Sequence, residues 1–410
     1  MQEPSYMIVL PIDQKDIESP DTIMNNLSEC DFIQITGVNM DEEKGLVMDM
    51  TVEEVPYQII MDIVDVEVPP FIRPAHFFTE EEITQIDNTK IGLSICMDFK
   101  GDSAQCFYDQ IRIIHAMLPE VLAVMDCPAE KLISGRWISL AAESKVLPAP
   151  RYLFTVQAIS EENGEVWLHS HGLKRCGLYE IEILCSDKET CNDHYHMIEN
   201  FAYRMLDDDE PIEPGVGVYL GEASGYEMVL TAVDWREALN YYPEATMGTK
   251  EDRDEFHADD SFVLMMYKNE EDEDNKRYTR VQEFTPFLQD NPLFMISNAE
   301  TDRMRNLAME RIPYMVEAFK NPDNTVIVKV GLIVDDEYQS EEGDKREHIW
   351  FELKDVKEDS IVAELTQAPY YVSGISEGDI GIYPFSDITD WLIFTKECRV
   401  APDEVYLLKK

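Results

Sequence analysis

The chain has 410 residues, 44% of them hydrophobic, which is enough to bury more than one core without disulfide or metal staples. Its 34 Lys and Arg stand against 83 Asp and Glu, a formal net charge of −49 at pH 7. Such a surface repels nucleic-acid phosphate and anionic lipid, so no nucleic acid and no membrane partner is expected, and a basic protein is the macromolecule it complements.

Eight cysteines (Cys30, Cys96, Cys106, Cys127, Cys176, Cys185, Cys191 and Cys398) are scattered without a C-x-x-C pair, which argues against a disulfide scaffold or a zinc ribbon. The first residues, MQEPSYMIVLPIDQKD, lack a basic leader and offer an apolar run only from Met7 to Leu10. Neither signal peptide nor membrane anchor is expected, and the chain reads as cytoplasmic with reduced thiols.

Tyr6 to Pro11 reads as a buried strand, and Ser19-Pro20-Asp21 supplies the start of a helix through Ile23, Met24 and Leu27. Strands are expected at Phe32 to Thr36, Gly45 to Thr51 and Gln58 to Val66, with Pro69-Pro70 closing the group. A further strand at Ile91 to Phe99 precedes a helix capped by Ser103, with Phe107, Ile111, Ile114 and Met117 on one face. Then come strands near Tyr152 to Ala158, Glu165 to His169 and Leu178 to Leu184, a helix from Asn192 to Leu206, and strands at Gly215 to Leu220 and Tyr226 to Thr231. Strands joined at hairpin length with helices interspersed predict an α+β fold with mixed sheets in ferredoxin-like halves. The acidic run Lys268 to Lys276 predicts a solvated loop.

After Asn298 a long helix is expected, with Met304, Leu307, Ile312, Met315 and Phe319 near one stripe and a kink at Pro313. Five short strands follow at Val326 to Ile333, His348 to Val356, Ile361 to Leu365, Ile380 to Tyr383 and Trp391 to Phe394, which suits a small bent β-barrel or sheet. The organisation expected is therefore an α+β domain over 1–290, readable as two similar subdomains, and a helix plus small β domain over 291–410.

The last 110 or so residues carry a recognisable series. Ile312 to Phe319 is a proline-aromatic helix end, Lys329-Val330 lies in a strand, and Glu347-His348-Ile349-Trp350 opens the next. Gly378-Asp379 makes a turn, and Ile388-Thr389-Asp390-Trp391 comes near the end. In order and spacing this resembles the YegJ-like family, domain of unknown function 2314, apart from the acidic stretch Asp335 to Lys345 before Glu347. The preceding 290 or so residues resemble domain of unknown function 4026. Neither resemblance implies an activity or a cofactor. Trp350 and Trp391 are expected to anchor the core with indole N–H groups needing acceptors, Asp390 among those available. The functional alternative is a shallow binding pocket formed by His348, Trp350, Asp390 and Trp391.

Gly374-Ile375-Ser376-Glu377-Gly378 matches G-x-S-x-G, but a strand-like IGIYPF follows where a nucleophile elbow needs a helix, and no later His completes a triad. No P-loop, G-x-G-x-x-G or H-E-x-x-H occurs. The stretch Gly164 to Leu184, GEVWLHSHGLKRCGLYEIEIL, is richer. With a turn centred on Leu173 to Cys176, His169 faces Glu180 and Trp167 faces Glu182. Trp167, His169, His171, Glu180 and Glu182 then share one face, and His169, His171 and Glu180 suffice as ligands for zinc or iron. The plainer reading is a solvent-exposed cross-strand pair of His169 with Glu180. His194 and His196 lie two apart on a helix and point about 200° apart, so they cannot share an ion. His257, among Asp254, Asp259 and Asp260, reads as part of an acidic loop.

The leading expectation is a non-enzymatic protein-binding module with a basic partner, and by analogy with other acidic proteins a toxin-neutralising, immunity-like role. The competing ones are a metal-dependent hydrolase using His169, His171 and Glu180, and a structural or regulatory module without ligand.

Overall fold

A computed structural model describes residues 2–408 except 44, 209–210, 224, 245, 254–256, 258–259, 289–292, 295–297 and 340–344. The chain is α+β and divides into two compact units: residues 1–142 with 148–296, and residues 143–147 with 297–410.

Unit 1 opens with β1 (Ser5–Pro11), α1 (Pro20–Ser28), the strands β2 (Ile33–Asp41), β3 (Gly45–Val52), β4 (Val55–Asp65) and β5 (Arg73–Pro74), and α2 (Glu80–Asn88). It continues with β6 (Ile91–Met97), α3 (Ser103–Met117), β7 (Val121–Asp126), β8 (Lys131–Ser134) and α4 (Gly135–Ala142). These strands make one eight-stranded sheet in the order β2-β3-β4-β6-β1-β7-β8-β5. Its central four, β4-β6-β1-β7, are antiparallel neighbours, with α3 crossing over from β6 to β7 and α1 leading from β1 to the edge strand β2, from which the chain returns through β3 to β4; this is the ferredoxin-like order extended at both edges. Period-2 alternation splits β1 between two layers. Ile8 and Leu10 meet Ile86 of α2 in one core, while Ser5, on the other face, hydrogen-bonds Gln110 of α3.

The helix α2 was not expected from sequence, although Thr79 and Glu82 form a complete capping box at its start. Helix α3 begins one residue from its expected cap: Asp102 accepts from Gln105 N, and Ser103 is already helical.

The second sheet of unit 1 is built from β9 (Thr155–Ser160), β10 (Glu165–His171), β11 (Ile181–Asp187), β12 (Val218–Ala223), β13 (Tyr226–Asp234), β14 (Phe262–Tyr267), β15 (Thr279–Arg280) and β16 (Leu293–Phe294). Its order is β16-β12-β13-β14-β11-β10-β9, with β15 beside β14, and it is mixed because β11 and β14 run parallel. Helix α5 (Cys191–Asp207) buries Met197, Ile198, Phe201, Ala202 and Met205 at helical spacing. Trp167, Leu184, Val233, Val263, Met265 and Tyr267 form a separate core, joined by Trp235 of the short α6 (Trp235–Ala238). The run expected as a plain loop contains α7 (Glu270–Asp274), one turn nucleated where Asn269 accepts from Asp272 N. A further short helix, α8 (Thr285–Leu288), precedes β16.

Unit 2 carries α9 (Asn298–Glu310) and α10 (Ile312–Phe319), separated at Arg311 just before Pro313, where the ring removes a helical donor. Its sheet contains β17 (Thr325–Ile333), β18 (Arg346–Val356), β19 (Ser360–Leu365), β20 (Ile380–Pro384), β21 (Ile388–Phe394) and β22 (Arg399–Val400). The order is β20-β19-β18-β17-β21-β22, an open sheet and no closed barrel. Trp391 is fully buried and donates from Nε1 to Ala308 O at 2.9 Å, tying sheet to helix.

Candidate functional site

Strand β10 places Trp167, His169 and His171 on one face by its period of two. The partner strand holds them in a register that corrects the expected one: His169 pairs with Glu182 and Leu168 with Ile183. Glu180 is therefore not opposite His169. The cause is a longer connection, because a 3-10 turn over Leu173–Cys176 lies between Gly172 at φ 108° and Gly177 at φ 76°, and β11 resumes only at Ile181. A slip of two residues preserves the faces, so Trp167 Nε1 still donates to Glu182 Oε2 at 2.8 Å. Nor is the histidine face solvent-exposed, since His169 is 4% and His171 8% exposed.

The third member of the group is His257, which the sequence placed in an acidic loop. Its ring lies 4.7 Å from that of His169 and 5.8 Å from that of His171, and the His169 and His171 rings are 4.8 Å apart and nearly perpendicular. One nitrogen from each of the three lies within 4.8 Å of the others. Both ring nitrogens of His169 are buried without a hydrogen-bond partner of ordinary geometry. Burial, then the neighbouring rings of His171 and His257, hold the His169 pKa well below 6.5, so its ring is neutral with a lone pair for an ion. Asp254 and Asp259 lie outside the described residues, and Asp260 pairs with Lys174 at 2.5 Å.

Three buried carboxylates surround the cluster in different roles. Glu182 receives Arg253 at 2.8 and 3.0 Å, Trp167 and the Ser261 hydroxyl, which ties Arg253 and Ser261 to the sheet. Glu180 accepts from Ser170 Oγ at 2.5 Å, Gly172 N at 2.9 Å and Lys174 N at 3.2 Å, so it orders the turn after His171. Burial raises its pKa, opposed by those hydrogen bonds and the Lys174 charge. The third, Glu130, comes from the first sheet and lies 3.5 Å from His171 Nδ1. Together these groups line a cavity of about 180 Å³, shared with Lys174 and Cys127. Burial and then Asp126 push the Cys127 thiol up to about 12, so it is protonated at neutral pH.

The other histidine pair behaves as a helix should. His194 is buried with Nδ1 2.7 Å from Ser186 Oγ, and His196 reaches Glu199 at 3.3 Å. Burial lowers the His194 pKa to about 4, with Asp187 opposing. The unfolded chain protonates each such ring near pH 6.5, whereas the native rings of His194 and His169 stay neutral. Stability is then complete above about pH 6.5 and falls as the pH drops toward 4, the His194 share reaching about 3 kcal/mol. Urea unfolding at pH 7 and pH 5 is expected to show this loss, with His194→Gln reducing the difference. Equal pH dependence in the two proteins would contradict it.

In unit 2, His348, Trp350 and Asp390 share the sheet face opposite the helices. His348 Nδ1 lies 3.1 Å from Thr389 Oγ1, Trp350 sits 5.5 Å from Lys329 Nζ, and Lys329 is in register with both Trp350 and Asp390. Asp390 accepts from the Trp391 backbone N at 2.8 Å, and burial raises its pKa. Trp391 itself points into the core, so it does not join the other three. The G-x-S-x-G stretch is an irregular turn with positive φ at Gly374 and Gly378, running into β20.

The molecule is thus an α+β protein with a cluster of three histidines, two of them buried, in its larger unit. Three family models match it: "Protein of unknown function (DUF4026) N-terminal" over residues 5–148, its C-terminal counterpart over 156–265, and "Uncharacterized protein conserved in bacteria (DUF2314)" over 302–401. The chain belongs to the DUF4026 family and carries a DUF2314 domain after it. No curated protein and no solved structure matches the chain.

Proposed function

We propose that this protein binds one divalent transition-metal ion through His169, His171 and His257, and that the ion serves hydrolytic chemistry in the adjoining cavity. The observation that carries this reading is the convergence of three imidazoles, two of them buried, around a His169 whose two nitrogens lack ordinary partners. A buried imidazole nitrogen left without a partner costs about 1–3 kcal/mol, which coordination would offset. Two nitrogens on one zinc ion sit roughly 3.4 Å apart, so a closure of up to about 1.4 Å from the present 4.8 Å limit completes the site.

Imidazole donors suit zinc, copper, iron and nickel, and the Glu130 carboxylate 3.5 Å from His171 Nδ1 favours a cation. Three protein ligands leave a tetrahedral ion one position for water, whose pKa the ion lowers to about 7. His257 takes the place in the ligand set that the sequence offered to Glu180. The partner-binding reading rests on charge and family resemblance, which are less specific than this geometry.

Replacing His257 by alanine tests the ligand set without touching a strand. Zinc affinity, measured by competition with a chromophoric chelator, is expected to fall at least about 100-fold while the metal-free melting temperature is unchanged. Undiminished affinity in His257→Ala would remove His257 from the site.

A further inference from the structure

The geometry points to Glu130, a residue of the first sheet, as the positioning residue of the three-histidine centre: it holds the proton on His171 Nδ1 and so presents Nε2 to the ion. This inference rests on the metal reading above. Its own support is independent of any ion.

A neutral imidazole has two tautomers, and a carboxylate beside one nitrogen selects the form with the proton there. Glu130 Oε1 is 3.5 Å from His171 Nδ1, with both side chains about nine-tenths buried. Its other oxygen accepts from Gln157 Nε2 at 2.6 Å, and Gln157 is the β9 residue paired with His169. The strut therefore references the position of one ligand to the strand neighbour of another. Glu180 and Glu182 are committed to the turn and to Arg253, which leaves Glu130 as the carboxylate placed for this task.

The backbone is shaped to deliver it. Glu130 has φ 50°, a left-handed conformation that costs a non-glycine residue about 1 kcal/mol or more and persists where surrounding structure over-determines it. Arg73 N donates to Glu130 O at 3.0 Å, and Glu130 N donates to Cys127 O at 3.2 Å. Gly172, the residue after His171, allows the approach: a Cβ there would lie 3.0 Å from Ala129 Cβ and 2.6 Å from Leu153 O. The first family segment thus supplies the positioning carboxylate and the second supplies all three imidazoles.

Two readouts on the full chain test it, the tautomer of His171 from imidazole ¹⁵N shifts in metal-free protein and the zinc affinity by chelator competition. Wild type is expected to carry the proton on Nδ1. In Glu130→Ala that preference is lost and zinc affinity falls about 10- to 100-fold with the stoichiometry unchanged. Should Glu130→Ala not fold, the isosteric Glu130→Gln serves, with smaller changes in the same direction. An unaltered Nδ1-protonated tautomer in the variant overturns the inference whether or not zinc binds. A wild type that shows the tautomer switch on Glu130 replacement but binds no zinc removes the metal reading and leaves the positioning contact standing.

Discussion

Replacing Asp126 by alanine is expected to destabilise unit 1 by about 3–5 kcal/mol, because it leaves a fully buried guanidinium without its counter-charge. Arg175 and Asp126 are both 0% exposed and meet in a two-pronged pair at 2.7 and 2.9 Å. The remaining Arg175 hydrogen bonds go to Leu153 O at 2.7 Å, Ser5 Oγ at 3.2 Å and Tyr152 O at 3.3 Å, so the side chain spans from the first sheet to the start of the second. Rings of Phe99 and Phe107 lie 5.6 and 5.2 Å from it. Buried Lys131 is close enough to feel both charges. Burial lowers its pKa to about 7, Asp126 opposes that shift, and Arg175 adds to it. Removing Asp126 thus strands the guanidinium and lowers the Lys131 pKa further. Urea unfolding of Asp126→Ala gives the number, and the double variant with Arg175→Met is expected to lose less than the sum of the singles. A loss below about 1 kcal/mol in Asp126→Ala would mean that the pair does not bear on stability.

Trp391→Ala is expected to cost unit 2 a similar amount, about 3–5 kcal/mol, through the cavity left by a fully buried indole. Its Nε1 donates to Ala308 O at 2.9 Å, so the truncation also leaves a buried helix carbonyl unmatched. Trp391→Phe isolates that hydrogen bond and is expected to cost less. Because the chain has two units, the readout is the transition assigned to unit 2 and not a single global midpoint. A Trp391→Ala protein that melts like wild type would place the tryptophan outside the core.

Much of unit 2 could be read from sequence because its strands alternate cleanly and its turns carry Gly and Asp. In unit 1 the misses have physical causes. VLAVMD and KLIS, β7 and β8, are buried on both faces and so lack alternation. The three successive glutamates of α2 masked a short amphipathic helix whose capping box was nevertheless legible.

The candidate site was half visible. His169 and His171 announced themselves by their spacing, and the faces survived a register that was two residues off. His257 did not, because its closeness to His169 and His171 is a tertiary contact between residues more than 80 positions apart, beside the parallel pairing of Ile181 with Phe262. Glu130 was invisible for a similar reason. It arrives from another sheet in a backbone conformation that the sequence Cys-Pro-Ala-Glu does not advertise.

The central claim is the three-histidine metal centre, and elemental analysis of protein equilibrated with zinc and then desalted tests it most directly. One zinc per chain in wild type, lost in His169→Ala with the fold retained, is the predicted result. A folded wild type that retains no zinc, or one that retains it equally well without His169, would contradict it.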